Sequence, residues 1–133
     1  LEHLYRPDEW ISEVSRMLRD DGKCILALPN FSSADAEWFG NSWAALDVPR
    51  HLWHFTPGSV QLFAERNGFS CERVLPLPLD LFYISILSYR NRGISPALIR
   101  GMITGVFLAV RSGFRKEKSS SLVYVLTKRL PGN

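Results

Sequence analysis

The run from Lys23 to Leu28, Lys-Cys-Ile-Leu-Ala-Leu, restricts the possible folds of this chain more than any other stretch. Its residues are apolar at odd and even positions alike, and it stops at Pro29-Asn30. A strand with one wet face alternates apolar with polar; a strand apolar on both faces needs cover on both, as it has between two helical layers. Just upstream, Pro7 and Asp8 open a helix in which Trp10, Ile11, Val14, Met17 and Leu18 fall at i, i+1, i+4, i+7 and i+8, the stripe of a helix lying on a sheet. Asp8 and Glu9 in its first turn and Arg16 and Arg19 in its last suit the helix dipole. Asp20-Asp21-Gly22 then makes a turn. Helix, tight glycine turn and buried strand form half of a βαβ unit, so the expected class is α/β.

The remaining elements are marked less strongly. Phe31 to Trp53 is a long connection holding Phe31, Trp38, Phe39 and Trp43, expected to wall a site and to carry a short helix at Ser33 to Phe39. A helix follows, with Thr56 as N-cap, Pro57 at its first position, Val60, Leu62, Phe63 and Ala64 as apolar face and Asn67-Gly68 as stop. Phe69 to Leu75 reads as a second strand, ended by Pro76 and Pro78. Leu79 to Tyr89 is apolar and aromatic with Asp80 as its one charge, and Ser95-Pro96 is expected to cap a further helix from about Ala97 to Ser112, interrupted at Gly101 and Gly105. Arg111 to Lys118 is a basic turn, expected to be mobile, and Leu122 to Thr127 is the last strand, closed by Lys128, Arg129 and a Pro-Gly tail.

Charge is divided unevenly along the chain. Residues 1 to 66 carry 6 Lys and Arg against 10 Asp and Glu, whereas residues 67 to 133 carry 10 against 3. The basic half fits an anionic partner such as a phosphorylated substrate or a lipid head group, or simply a solvated surface; nucleic acid is not the expected partner. Cys24 and Cys71 lie in apolar strand-like runs with no CxxC and no zinc spacing, which reads as two buried free thiols in a reducing, cytoplasmic setting. Met102 to Val110, the longest apolar run, is nine residues, half of what a bilayer span requires. The apolar Leu79 to Tyr89 and Ala97 to Val110 segments, bordered by Arg90, Arg92, Arg100, Arg111, Arg115, Lys116 and Lys118, suit peripheral membrane contact, core packing or a dimer interface.

The chemistry-bearing residues gather in one loop. Asp47, Arg50, His51 and His54 fall within eight positions immediately ahead of the Thr56 helix, with Trp53 among them. Histidine titrates near pH 6.5 when unperturbed, so His51 or His54 suits a general base, although structural hydrogen bonding or helix-entry packing is the commoner use of such residues. A metal is not expected, since no third ligand stands at suitable spacing. Asp47 and Arg50 fit a local ion pair or contact with substrate, and Trp38, Trp43 and Trp53 fit packing or stacking on a flat substrate.

Taken in order, LEHLYRPDEWISEVSRMLRDDGKCILALPN resembles the second half of the class I S-adenosylmethionine-dependent methyltransferases. There a Glu-His-like pair ends a strand, a helix follows, and a glycine turn leads into a strand with a Pro-Asn-like exit. DVPRHLWHFTPGSVQLFAERNGF is similar to a subgroup with a Pro-Arg-His-Leu-x-His-Phe run before the next helix, and Leu122 to Arg129 resembles the closing antiparallel strand. The resemblance covers residues 1 to 76 and 120 to 129. It implies the C-terminal half of a Rossmann-like sheet, with about three strands, the last antiparallel, flanking helices and a helical insertion at residues 77 to 118. It also implies methyl transfer from S-adenosylmethionine to a small-molecule, glycan or lipid-linked acceptor. Glu2 and His3 would lie at the cofactor rim, His51 and His54 would act as base, and Arg50, Asp47 and Trp53 would meet the acceptor. The glycine-rich cofactor loop and its acidic ribose partner have no counterpart here, so this chain alone is expected to bind the cofactor weakly and to be inactive. A non-catalytic α/β module that self-associates through an open strand edge is the alternative, and a homo-oligomer is expected on either reading.

Overall fold

The computed structural model describes residues 1–112 and 115–129, and it is a mixed α/β structure with one three-stranded sheet and five helices among those residues. In chain order the elements are α1 (Pro7–Met17), β1 (Lys23–Pro29), α2 (Ala34–Phe39), α3 (Pro57–Arg66), β2 (Phe69–Pro76), α4 (Asp80–Asn91), α5 (Ala97–Arg111) and β3 (Ser121–Lys128). Short 3₁₀ turns occupy Gly40–Ser42, Ala44–Leu46 and Lys116–Lys118.

The sheet order is β1-β3-β2. The final strand lies in the middle and runs antiparallel to both neighbours, with Leu26 opposite Tyr124 and Val74 opposite the same tyrosine. One extra residue, Glu72, bulges from β2 between Cys71 and Arg73. β1 pairs with β3 only, so its outer edge is open among the described residues.

One face of the sheet carries the core. Cys24, Leu26 and Leu28 of β1 and Leu122, Tyr124 and Leu126 of β3 cluster with Ile11 of α1, Val60 and Ala64 of α3, and Phe69 of β2. Both cysteines are free, Cys24 buried and Cys71 half-buried. Burial pushes the Tyr124 hydroxyl up to about 12, with Cys71 adding to the effect.

The opposite face departs from expectation. Ile25 is 66% exposed and Ala27 is exposed too, so β1 is covered on one side rather than two. The register aligns Ile25 with Val125 and Ala27 with Val123, which leaves an apolar sheet surface with no helix laid over it among the described residues. The stripe on α1 is likewise narrower than expected: Ile11 is fully buried and Val14 and Leu18 join the core, whereas Trp10 and Met17 face outward.

Helix signals were mostly accurate. Thr56 caps α3, accepting from the Ser59 backbone N–H at 3.3 Å, and the Ser59 side chain closes the box by accepting from the Thr56 N–H at 2.9 Å. Ser33 caps α2 by a single bond, its Oγ accepting from the Ala36 backbone N–H at 3.2 Å. Gly101 and Gly105, expected to interrupt the last helix, do not: α5 runs unbroken from Ala97 to Arg111. They lie where α5 packs on α4, and a Cβ on Gly101 would come within 2.6 Å of the Ile86 backbone. Close helix approach, not a break, accounts for both glycines. The α4–α5 pair also joins Tyr89 to Thr104 by a 2.9 Å hydroxyl hydrogen bond.

A second cluster, of Ala36, Phe39, Trp43 and Ala45 with Ile84 and Tyr89, ties the long connection to α4. Trp43 is buried there and donates its indole N–H to Asp35 at 2.8 Å, which excludes it from stacking on a substrate. The basic turn from Arg111 to Lys118 includes residues 113 and 114, and the tail includes 130 to 133; all of these lie outside the described residues.

Candidate functional site

The loop from Asp47 to Phe55 meets the start of the chain at the end of the sheet where β1 exits. Two backbone hydrogen bonds hold it there, from the Leu52 and Trp53 N–H groups to the Glu2 carbonyl at 2.8 and 3.3 Å. Trp53 adds a third, donating its indole N–H to the Leu4 carbonyl at 2.8 Å. Phe31, just past the β1 exit, donates its N–H to the Phe55 carbonyl at 2.8 Å. Asn30 anchors that exit, its amide donating to the Glu117 and Ser119 carbonyls at 2.7 and 2.9 Å.

Asp47 begins the loop in the left-handed region, φ 40°, a conformation that aspartate tolerates better than most residues. Its carboxylate receives the Arg50 guanidinium through Nη2 at 2.7 Å and Nε at 3.1 Å, the local pair expected from sequence.

Three histidine rings follow from this path. His51 Nδ1 lies 2.8 Å from the Ala45 carbonyl, and because a carbonyl only accepts, Nδ1 carries the proton and Nε2 the free lone pair of the neutral ring. That Nε2 stands 3.8 Å from Asp47 Oδ2. His3 Nδ1 lies 3.1 Å from the Arg50 carbonyl, leaving its Nε2 free at 3.6 Å from Glu2 Oε1. The His3 and His51 rings meet edge to face with centroids 4.7 Å apart. His54 is turned elsewhere: its Nε2–H donates to the Leu46 carbonyl at 2.8 Å and its ring leans on Phe31.

Glu2, His3 and His51 each place a potential ligand atom within 4.8 Å of the other two. Such a set can relay a proton or hold a divalent cation, and both histidines have the carbonyl-fixed Nδ1–H that orients a ring for either task. Burial would raise the Glu2 carboxyl, but its own backbone N–H, the Leu1 ammonium and His3 outweigh this and hold it below its ordinary value. The third partner that sequence spacing failed to supply for His51 thus comes from the other end of the loop's hydrogen bonds. The resemblance singled out Glu2 and His3, but spacing does not mark their meeting with His51, because residues 2–3 and 51 are brought together only by the fold.

The crevice between these groups, bordered by Glu2, Phe31, Trp43, His51, His54 and Phe55, is too narrow to admit a nucleoside. Arg50 is exposed though paired with Asp47, and Trp53 is 45% exposed though its indole N–H is held by the Leu4 carbonyl, so both lie at the rim. No known protein family matches this chain, and no curated protein is significantly similar to it.

Proposed function

We propose that this chain is the acceptor-side half of a class I S-adenosylmethionine-dependent methyltransferase. The observation that carries this reading is the sheet: a last strand inserted antiparallel between β1 and β2, with β1's outer edge unpaired and Ile25 and Ala27 bare on the second face. That is the pattern expected where further parallel strands and a second helical layer complete a doubly wound fold. Glu2-His3, the Pro29-Asn30 exit and the Arg50-His51 loop then meet at one end of the sheet, where such folds bind their ligands.

The residues here do not fit the cofactor by themselves. They offer no glycine-rich turn, and the crevice beside Glu2 and His51 is too tight. S-adenosylmethionine supplies a methyl group on an activated sulfonium, so what is asked of this half is alignment of the acceptor and custody of one proton. His51 suits the second task, since the Ala45 carbonyl takes its Nδ1–H and leaves Nε2 as the acceptor of the neutral ring, 3.8 Å from Asp47 Oδ2, with the Glu2 carboxylate near the ring. Those carboxylates stabilise the imidazolium that forms when Nε2 takes the acceptor's hydroxyl or amine proton. Arg50 and Trp53, exposed at the rim, suit contact with the acceptor, and His54 supports the loop.

The test is turnover of labelled S-adenosylmethionine in the intact gene product. His51→Gln should lower kcat by roughly a hundredfold, the span of a positioned general base, with KM for the cofactor unchanged. Full turnover in the variant would remove His51 from the chemistry. The second reading, a self-associating module, draws on the same open β1 edge. A gene product that light scattering finds oligomeric, with no affinity for the cofactor, would favour it.

A further inference from the structure

The α4–α5 hairpin presents a surface that methyl transfer does not use. One side of α5, Gly101, Thr104, Gly105 and Leu108, is buried on α4. The opposite side is apolar and largely exposed: Ile99, Met102, Ile103, Val106, Phe107 and Val110 are each between 45% and 66% exposed. At 3.6 residues per turn these six form one unbroken arc on the side of α5 away from α4. Contiguous apolar surface of this kind marks a contact site.

The charges around the arc identify the contact. Residues 79 to 118 carry 7 Lys and Arg against 2 Asp and Glu. Arg100 and Arg111, about three turns apart on α5, share one flank of the arc, both exposed. At the C-terminal end of α5 a pocket of about 290 Å³ is lined by Arg111, Arg115, Lys118, Ser112, Trp38 and Glu37 among others. Lys118 is engaged by Glu37 there, which leaves two guanidinium groups facing the pocket. Trp38 packs on Phe107 with centroids 5.7 Å apart, joining the pocket to the apolar arc.

A second copy fits this surface poorly. An antiparallel two-fold pairing of α5 with itself brings arginine flanks together, at a cost that nothing acidic on the arc offsets. An anionic bilayer fits it well, because the apolar arc enters the acyl boundary while arginine stems lie along it and their head groups reach lipid phosphates. We propose that α5, with the basic pocket at its end, docks the protein on an anionic membrane surface, lying in the interface plane. No described helix is long and apolar enough to cross a membrane, so the contact is peripheral.

Sedimentation with vesicles tests this. The chain should bind vesicles of phosphatidylcholine containing a quarter phosphatidylglycerol, with at least a tenfold loss on phosphatidylcholine alone and in high salt. Ile103→Asp, at an exposed position, should abolish binding, and the double change Arg100→Glu with Arg111→Glu should weaken it by roughly a hundredfold. Ile25→Asp, on the bare sheet face, should leave it unchanged. Absence of binding to anionic vesicles, equal binding to neutral ones, or equal losses from Ile25→Asp and Ile103→Asp would each overturn the proposal. So would a wild-type dimer that Ile103→Asp converts to monomer without any vesicle binding, which would assign the arc to a second copy.

Discussion

Replacing Gly101 by alanine sets two effects of opposite sign against each other. In an exposed helix the change stabilises by up to about 1 kcal/mol, because alanine restricts the unfolded chain and favours the helix. At Gly101 the added methyl would stand 2.5 Å from Ile86 Cγ1, 2.6 Å from its Cα and 2.6 Å from its N. Ordinary contact needs roughly 3.4 Å or more, and two of those three atoms are backbone, so no rotamer change relieves the overlap. α4 and α5 must part by several tenths of an ångström, loosening the Tyr89–Thr104 hydrogen bond and the contacts of Leu108. Overpacking of this kind costs about 1–3 kcal/mol, so the net effect should be a loss of about 1–2 kcal/mol. For a domain of this size that lowers the melting temperature by roughly 3–8 °C. Gly58→Ala is the matched control: the same chemical change, in the first turn of α3, with nothing within 4 Å of the new Cβ. It should raise stability by about 0.5 kcal/mol. Urea unfolding followed by circular dichroism reads both. If Gly101→Ala proves neutral or stabilising, the close approach of α4 and α5 is wrong, and with it the orientation of the apolar arc on α5.

Other expectations concern buried groups and caps. Asp35 is fully buried, and burial pushes its carboxyl above its ordinary value of 3.8, opposed in part by the Trp43 indole. With the folded value raised, its contribution to stability is complete below pH 3.8 and is lost as pH rises through the folded value. Asp35→Asn should therefore gain on wild type as pH climbs from acid to neutral, and a difference in unfolding free energy that ignores pH would refute this. Tyr124 should ionise only near pH 12, so the late step in a 295 nm titration should vanish in Tyr124→Phe. Thr56→Ala should cost about 1 kcal/mol by removing the α3 cap, and Thr56→Ser should restore most of it; equal losses in both would place the effect outside the cap.

Much of this was legible because local chemistry decides it. Pro7 and the acidic first turn started α1, Thr56-Pro57 started α3, and Asn67-Gly68 ended it, each through groups within a few residues of one another. Where partners are distant, sequence reading failed. The apolar run of β1 promised two covered faces, yet Ile25 and Ala27 are bare, because alternation reports what a strand can bury and not what is present to bury it. Gly101 and Gly105 read as breaks because their reason for being small is α4, packed across the hairpin. His51 was recognisable as reactive, but its meeting with Glu2 and His3 depends on backbone hydrogen bonds spanning some fifty residues. Asp35, buried with its Oδ1 lacking a hydrogen-bond partner, carries no sequence mark at all.

Binding of S-adenosylmethionine, measured by calorimetry on the intact gene product and on residues 1–133 side by side, bears most directly on the proposed methyltransferase half. The intact protein should bind one equivalent, and the 133-residue chain roughly a hundredfold more weakly, a difference of about 2.7 kcal/mol, since on this proposal the cofactor-binding half would pair with the open edge of β1. Equal affinity in both, or none in either, would contradict that account.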